Sequence, residues 1–301
     1  MFKVPWIFIP ISIIYFIIIT IIAIILFIKY ILNYFKKQLV VDMKKICEKQ
    51  IKEIKPITPF KNIFEFDRNN ASSLLTLNLD VSIWSGCQDV LPNINNFNIV
   101  ETYEGYDYAA GFNRNIAALY YSKILNIAII SFSGTMYLTE WANDFDFSQT
   151  NPNSITGDNN ILVHEKDYIM YNTFRNNFLS TIKKIKNDTT TLVVTGHSLG
   201  GALATICFLD VISNNIIPVG FRTLYTFGAP RVGNIAFADI INKEKAQFRV
   251  VNTEDIITDL PLPIDGNKIY EQTITNSGTV FSLNLGDYES NHINSYIEFL
   301  K

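Results

Sequence analysis

A glycine-rich turn at residues 195–201 contains one residue that could act as a nucleophile. The stretch "TGHSLGG" follows the pattern Gly-x-Ser-x-Gly, with Ser198 between Gly196 and Gly200. A β-branched apolar run precedes it, and a longer apolar run of helical period follows it. Between a strand and a helix this pattern is typical of a nucleophile elbow, in which the glycines must lack side chains and the serine hydroxyl projects from the sheet edge. The alternative is a packing turn with an idle serine.

A nucleophilic serine needs a base, and the chain has three histidines. His197 adjoins Ser198, so we expect it to point away from the cleft as a packed neighbour. His164 begins a predicted helix upstream of the nucleophile and is expected at the surface. His292, in "ESNHINSYIEFL", is the only histidine that fits the serine–acid–histidine chain order of hydrolases with such an elbow.

The acid that orients this histidine should follow a late strand. Asp255, in "FRVVNTEDIITDLP", comes directly after one, and Asp259 is the runner-up. Asp255 would hold the imidazole in the useful tautomer and stabilise the imidazolium that forms. The alternative for Asp255 is a solvent-exposed loop carboxylate.

Short β-rich runs alternate with helical ones around these residues. The predicted strands are 126–135, 190–196, 220–230 and 246–255, and the predicted helices are 164–187, 201–213 and 234–242. Continuous apolar strands separated by helices indicate a parallel sheet covered on both faces. The predicted fold class is therefore α/β.

Four stretches carry a family resemblance. In chain order, "SFSGTMYLTEWANDFDF", "TGHSLGGALA", "TFGAPRVGN" and "NTEDIITDLP" resemble the conserved blocks of the fungal-type, class 3 triacylglycerol lipases. The resemblance spans roughly residues 125–301. It implies an α/β-hydrolase fold, carboxylic ester hydrolase activity and a triad of Ser198, Asp255 and His292, with no metal and no cofactor.

The resemblance also assigns an oxyanion hole. Its second donor falls on Thr135, which would act beside the amide of Leu199 to stabilise the tetrahedral intermediate. Ser133 is a departure, because many relatives have arginine before the Gly-Thr. A stabilising contact made by that arginine in the relatives is therefore in doubt here, but no catalytic role is affected.

Residues 136–147 resemble the lid of this family, a short amphipathic helix over the acyl cleft. Leu138 and Trp141 would form its apolar side, and Asp144 would brace Thr135. For Trp141 the alternative is an ordinary core tryptophan.

Charge and cysteine content limit the remaining functions. Residues 1–61 carry ten lysines and three acids, and residues 62–301 carry fifteen basic and twenty-five acidic residues, so the larger part is acidic. This composition gives no basic surface for nucleic acid. The three widely spaced cysteines are most simply free, buried thiols.

The N-terminus is predicted to be a membrane anchor, residues 1–30. Twenty-five residues between Lys3 and Lys29 carry no charge, and a helix of residues 7–28 would cover about 33 Å, enough for a hydrocarbon core of about 30 Å. A cleaved signal peptide is the alternative. Residues 31–59 are predicted to form a lysine-rich helical stalk or linker, and residues 60–301 the catalytic domain.

Lysines after the anchor favour a cytosolic catalytic domain by the positive-inside rule. The sequons at Asn70 and Asn187 leave a lumenal or extracellular domain as the alternative.

The sequence therefore predicts a single-pass, membrane-anchored serine lipase that hydrolyses acyl esters of glycerolipids through an acyl-enzyme. Its expected partner is lipid at a membrane or droplet interface, with no nucleic acid and no obligate protein partner. The alternatives are a catalytically silent lipid-binding or scaffold protein on the same fold, and an acyltransferase.

Overall fold

The computed structural model describes Thr20, Phe60 and residues 62–87, 91–108, 111–135, 148–265, 268–271 and 280–301. The chain divides into two compact units, Met1–Glu53 and Ile54–Lys301, and the elements below belong to the second. Within these described ranges no helix is both long enough and apolar enough to cross a membrane. Apart from Thr20, the predicted anchor and stalk lie outside them.

The described part of the second unit contains eleven strands and six α-helices. The strands in chain order are β1 Asn98–Asp107, β2 Phe112–Ser122, β3 Ile127–Phe132, β4 Gln149–Thr150, β5 Val163–His164, β6 Thr191–His197, β7 Arg222–Phe227, β8 Gln247–Asn252, β9 Ile264–Asp265, β10 Lys268–Ile269 and β11 Val280–Phe281. The helices are α1 Arg68–Cys87, α2 Glu165–Ile185, α3 Leu199–Ser213, α4 Ile235–Asn242, α5 Tyr288–His292 and α6 Asn294–Leu300, with a 3-10 turn at Ile256–Asp259.

Seven of these strands form the central sheet, in the order β1-β2-β3-β6-β7-β8-β11. The β1–β2 and β2–β3 pairs are antiparallel, and every later pair is parallel. Phe132 pairs with Gly196 and His197 with Phe227, so β3, β6 and β7 end together at one edge. In open α/β sheets the carboxyl edge is where ligands bind.

Helices cover both faces of the sheet, as the alternating pattern predicted. One apolar layer joins the sheet to α2, α3 and α4, through side chains such as Phe178, Phe208 and Phe237. The other joins it to α1 and α6, through Leu74, Leu77, Tyr296 and Leu300. Cys207 of α3 is a free, buried thiol, as expected.

The predicted strands and helices are all present, and no end differs from its prediction by more than three residues. Helix α1 and the antiparallel strands β1 and β2 were not predicted from the sequence. These elements extend the sheet and cover one face of it next to β3.

Candidate active site

Ser198 occupies the turn between β6 and α3, where the main chain has φ +58° and ψ −130°. A positive φ is uncommon for a residue with a side chain and costs on the order of 1–3 kcal/mol. The Ser198 amide donates to the carbonyl of Phe227 at 2.9 Å, which ties the turn to the end of β7. The turn therefore holds Ser198 in one strained conformation at the carboxyl edge of the sheet.

Two glycines make this turn possible. A Cβ atom on Gly196 would lie 2.0 Å from the carbonyl oxygen of Gly200. A Cβ atom on Gly200 would lie 2.5 Å from the carbonyl oxygen of Phe132, at the end of β3. Both positions must therefore lack a side chain, as the Gly-x-Ser-x-Gly pattern predicted.

A buried acid–base pair lies at the same edge of the sheet. His292 Nδ1 is 2.8 Å from Asp255 Oδ2, and both side chains are fully buried. Asp255 follows β8 and begins the 3-10 turn, where its Oδ1 accepts the amide of Ile257 at 3.1 Å. Since a carboxylate only accepts, Nδ1 carries the proton and Nε2 is left as the basic nitrogen.

The serine and the histidine are not hydrogen-bonded to each other. Ser198 Oγ and His292 Nε2 are both buried, and neither has a hydrogen-bond partner among the described residues. The structure thus joins two of the three predicted triad members, His292 and Asp255. In ligand-free hydrolases catalytic hydrogen bonds are often long and tighten only with substrate.

The runner-up acid lies elsewhere. Asp259 has a side chain that is 66% exposed and lies 3.6 Å from Arg231 Nη2, as an ion pair. The hydrogen bond to His292 therefore comes from Asp255 and not from Asp259.

His197 supports the main chain of the catalytic candidate His292. Its Nε2 lies 2.8 Å from the carbonyl oxygen of His292, and the two rings are in tilted contact with centroids 4.7 Å apart. Burial, and then the proximity of His292, lowers the pKa of His197 to about 3. The imidazole is therefore neutral and donates through Nε2, as a packed neighbour, which agrees with the expectation from sequence.

His164 is buried, so its predicted surface position was wrong. It does precede a helix, α2, and its Nδ1 accepts the amide of Asp167 at 3.4 Å as an N-cap. An N-cap satisfies a helix amide that has no intrahelical partner, and this favours burial of an otherwise polar side chain.

Tyr296 is a residue of the site that sequence reasoning missed. Its hydroxyl donates to Asp255 Oδ2 at 2.7 Å and accepts the amide of Asn252 at 3.1 Å. Burial, and then the Asp255 carboxylate, raises the pKa of Tyr296 well above its usual value. The available signal was its position four residues after His292, since residues so spaced lie on one side of a helical segment.

The predicted oxyanion residues lie beside Ser198. A Cβ atom on Gly134 would be 3.1 Å from the carbonyl oxygen of His197 and 3.6 Å from Ser198 Cβ, so the loop that carries Thr135 lies against the elbow. Leu199 is the first residue of α3, and the first amides of a helix have no intrahelical acceptor. Thr135 and Leu199 are both buried.

The predicted lid, with Leu138, Trp141 and Asp144, lies outside the described residues.

Helix α1 reaches this loop with polar side chains. Asn78, Ser82 and Ser85 share its sheet-facing side, because they are spaced by four and three residues. Asn78 Nδ2 donates to Thr195 Oγ1 at 3.0 Å, and Ser82 Oγ accepts the amide of Gly134 at 2.8 Å. A helix that was not predicted from the sequence therefore helps to hold the loop beside Ser198.

No group of His, Cys, Asp and Glu side chains among the described residues is arranged to hold a metal ion.

Part of the chain is similar to known proteins. Residues 129–264 match the family Lipase (class 3). Over 138 residues the chain is 31% identical to the secreted mono- and diacylglycerol lipase A of Penicillium cyclopium, which covers 44% of this chain and 43% of that enzyme. Over 149 residues it is 30% identical to the chloroplastic phospholipase A(1) DAD1 of Arabidopsis thaliana, covering 44% of this chain and 33% of that protein. The chain thus aligns with less than half the length of these relatives.

The fold agrees with that family. The triacylglyceride lipase of Rhizomucor miehei superposes with a TM-score of 0.54 at 24% identity, over 69% of this chain and 78% of that one. A mostly parallel sheet with helices on both faces, together with this likeness, identifies the α/β-hydrolase fold. Residues 129–264 are therefore similar to the class 3 lipases, and the fold is the α/β-hydrolase fold.

Proposed function

We propose that this protein is a serine lipase that hydrolyses acyl esters of glycerolipids, with Ser198 as nucleophile, His292 as base and Asp255 as the orienting acid. The observation that carries this proposal is the buried 2.8 Å pair of His292 and Asp255, whose free Nε2 lies at the same sheet edge as the strained Ser198 turn. A buried imidazole that is oriented by a carboxylate is the general base that a serine nucleophile requires.

The reaction follows from these positions. His292 Nε2 takes the proton of Ser198 Oγ as that oxygen attacks the ester carbonyl, and the carbonyl oxygen becomes an oxyanion. The amides of Leu199 and Thr135 stabilise this charge. The intermediate collapses with loss of the alcohol, which receives the proton from His292. Water, deprotonated by His292, then attacks the acyl-enzyme and releases the fatty acid.

The substrate class is supported by the relatives. Two of them are named for action on mono- and diacylglycerols and for phospholipase A1 activity, respectively. Both substrate groups are glycerolipids with an acyl ester, and so we assign that class to this chain. Residues 136–147 would form the lid over the acyl cleft, with Leu138 and Trp141 on its apolar side and Asp144 bracing Thr135.

We also propose that residues 1–30 anchor the enzyme in a membrane and that the catalytic domain faces the cytosol. The support is the uncharged run between Lys3 and Lys29 and the lysines that follow it. Of the two sequons, Asn70 is buried and Asn187 is exposed, so only Asn187 could carry a glycan on the folded domain. After expression in a secretory host, a glycosidase-sensitive mobility shift that Asn187→Gln abolishes would show a lumenal domain and contradict this topology.

The proposed activity is tested on the full chain in detergent micelles. A fluorophosphonate probe should label Ser198, and Ser198→Ala should abolish both labelling and ester hydrolysis, a loss on the order of 10⁶ in kcat. A panel of glycerolipids and phospholipids, with identification of the released fatty acid, then defines the substrate. Hydrolysis by Ser198→Ala at the wild-type rate would overturn the proposal. Acyl esters formed in place of fatty acid would indicate an acyltransferase.

A further inference from the structure

Arg114 of β2 is a buried arginine whose side chain reaches the loop beside Ser198. Its Nε donates to Asp107 Oδ2 at 2.6 Å, and this carboxylate balances its charge. Its Nη1 donates to Ser85 Oγ at 2.6 Å and also to Ser133 Oγ. Its Nη2 donates to the carbonyl oxygen of Gly134 at 3.1 Å. Every nitrogen of the guanidinium is therefore engaged, and the group has a single fixed orientation.

The bond to the Gly134 carbonyl has a consequence for the next residue. The carbonyl of Gly134 and the amide of Thr135 belong to one peptide unit, which is planar and trans, so the C=O and N–H bonds point in opposite directions. A side chain that fixes the direction of this carbonyl also fixes the direction of the Thr135 amide. The Thr135 N–H must point away from Arg114.

The preceding peptide is fixed as well. The amide of Gly134 donates to Ser82 Oγ at 2.8 Å, so both the N–H and the C=O of Gly134 are held by side chains from outside the loop. Without these bonds a glycine could adopt several main-chain conformations at little cost. The loop is therefore oriented by α1 and β2.

We propose that Arg114 is a positioning residue for the oxyanion hole: its hydrogen bond to the Gly134 carbonyl aims the Thr135 amide at the oxygen of the reacting ester. This inference rests on the proposed lipase function. The positive charge also withdraws electron density through the peptide, which makes the Thr135 N–H a stronger donor. Ser133, which replaces the arginine of many relatives, here accepts a hydrogen bond from the same guanidinium.

The role of Arg114 should appear in kcat more than in KM. The ester oxygen gains its charge only as the tetrahedral intermediate forms, so a misaligned donor weakens the transition state and leaves substrate binding nearly unchanged. Complete removal of an oxyanion donor costs about 10²–10³ in kcat in other hydrolases, and misalignment should cost less.

The test compares Arg114→Met with Arg222→Met in the full chain. Arg222 is also a buried arginine with a carboxylate partner, Glu244 at 2.5 Å. It lies at the amino end of β7, away from the sheet edge that carries Ser198. With a dissolved short-chain p-nitrophenyl ester, Arg114→Met should lower kcat by about 10- to 100-fold and change KM by less than about threefold. Arg222→Met should lose comparable thermal stability and keep kcat within about twofold.

A second measurement separates positioning from general damage. An alkyl trifluoromethyl ketone forms an adduct with the serine that carries an oxyanion, so its inhibition constant should rise in Arg114→Met by the factor by which kcat/KM falls. Arg114→Gln keeps an uncharged NH₂ donor group and should show the same two changes, each of smaller size. This variant replaces Arg114→Met in the test if Arg114→Met does not fold.

The outcomes are distinguishable. If a folded Arg114 variant keeps wild-type kcat, or loses kcat with an unchanged inhibition constant for the ketone, the inference about Arg114 is wrong and the lipase proposal stands. If the wild-type protein neither hydrolyses the ester nor reacts with fluorophosphonate at Ser198, the proposed function fails, and the inference fails with it.

Discussion

The two sides of Ser198 are supported in different ways. On the oxyanion side, side chains from α1 and β2 hold a stretch of main chain at Gly134. On the base side, side chains hold another side chain: His292 is fixed by Asp255, which in turn accepts from Tyr296. Ser82, Arg114, His292 and Tyr296 all lie outside the stretch that matches the lipase family. The surrounding elements therefore complete a site whose proposed nucleophile and acid lie within that stretch.

This difference predicts different sensitivities. On the oxyanion side, a substitution of Ser82 or Arg114 leaves the main-chain amide of Thr135 in place and changes only its alignment. In the proposed mechanism the imidazole on the base side is itself the reacting group, so its removal should eliminate proton transfer. The variants below run from the largest expected effect to the smallest.

His292→Ala should lower kcat on the order of 10⁵- to 10⁶-fold, because the triad acts as a unit. The measurement is ester hydrolysis at saturating substrate. His164→Ala is the matched control, since His164 is also buried but caps α2. It should lower thermal stability and leave kcat within about twofold. A small effect of His292→Ala would mean that the base side has been placed wrongly.

Asp255→Asn should lower kcat about 10⁴-fold, since an amide stabilises the wrong tautomer of His292 and cannot offset the imidazolium charge. Asp259→Asn, at an exposed position on the same turn, should have no more than about a twofold effect. Both variants are assayed with the same soluble ester. The reverse order of severity would assign the acid to Asp259.

Tyr296→Phe should lower kcat about tenfold and the free energy of unfolding by about 1–3 kcal/mol, because a hydrogen bond to a buried carboxylate is lost. Tyr225→Phe removes a hydroxyl that donates to the carbonyl of Glu65 at 3.0 Å, away from the triad. It should cost similar stability without loss of kcat. Denaturant unfolding and steady-state kinetics on both variants separate the two roles. If kcat is the same in Tyr296→Phe and Tyr225→Phe, Tyr296 contributes to packing only.

The smallest effect concerns His197 and pH. Its pKa is lowered to about 3 in the folded protein and is about 6.5 in the unfolded chain, so only the unfolded chain takes up this proton as the pH falls below 6.5. Its contribution to stability should therefore decrease by about 1 kcal/mol between pH 6 and pH 5. His197→Gln, which keeps an N–H donor, should reduce that slope in urea unfolding. An unchanged slope would show that His197 is protonated in the folded state.

The elements around the nucleophile were predictable because their residues are apolar in a regular period. Strands β3, β6, β7 and β8 are continuous apolar runs, and the tight turn at Ser198 requires glycines that are visible in the sequence. The chain order of serine, acid and histidine then selected His292 from three candidates. The choice of Asp255 over Asp259 depended on closeness to the end of β8, and Asp255 does contact His292.

The supports of the site were not predictable, for a physical reason. Helix α1 turns Asn78, Ser82 and Ser85 toward the sheet, so its buried side is partly polar and lacks the apolar period of an amphipathic helix. Arg114 gives no signal either, because its contact with Gly134 depends on the antiparallel pairing of β2 with β3. Hydrogen bonds from side chains to main-chain atoms follow no regular spacing in the sequence, so they cannot be predicted from it.

The hydrogen bonds of the site join distant parts of the chain. Asn78 and Thr195 are separated by 117 positions, and His197 and His292 by 95. Contacts of such long range form late in folding, because the entropy of closing the intervening loops must be overcome first. In a newly made chain Ser198 will therefore gain its proposed base and oxyanion donors only after these long-range contacts have formed. The proposed lipase would be inert toward the cell's own membranes until its folding is complete.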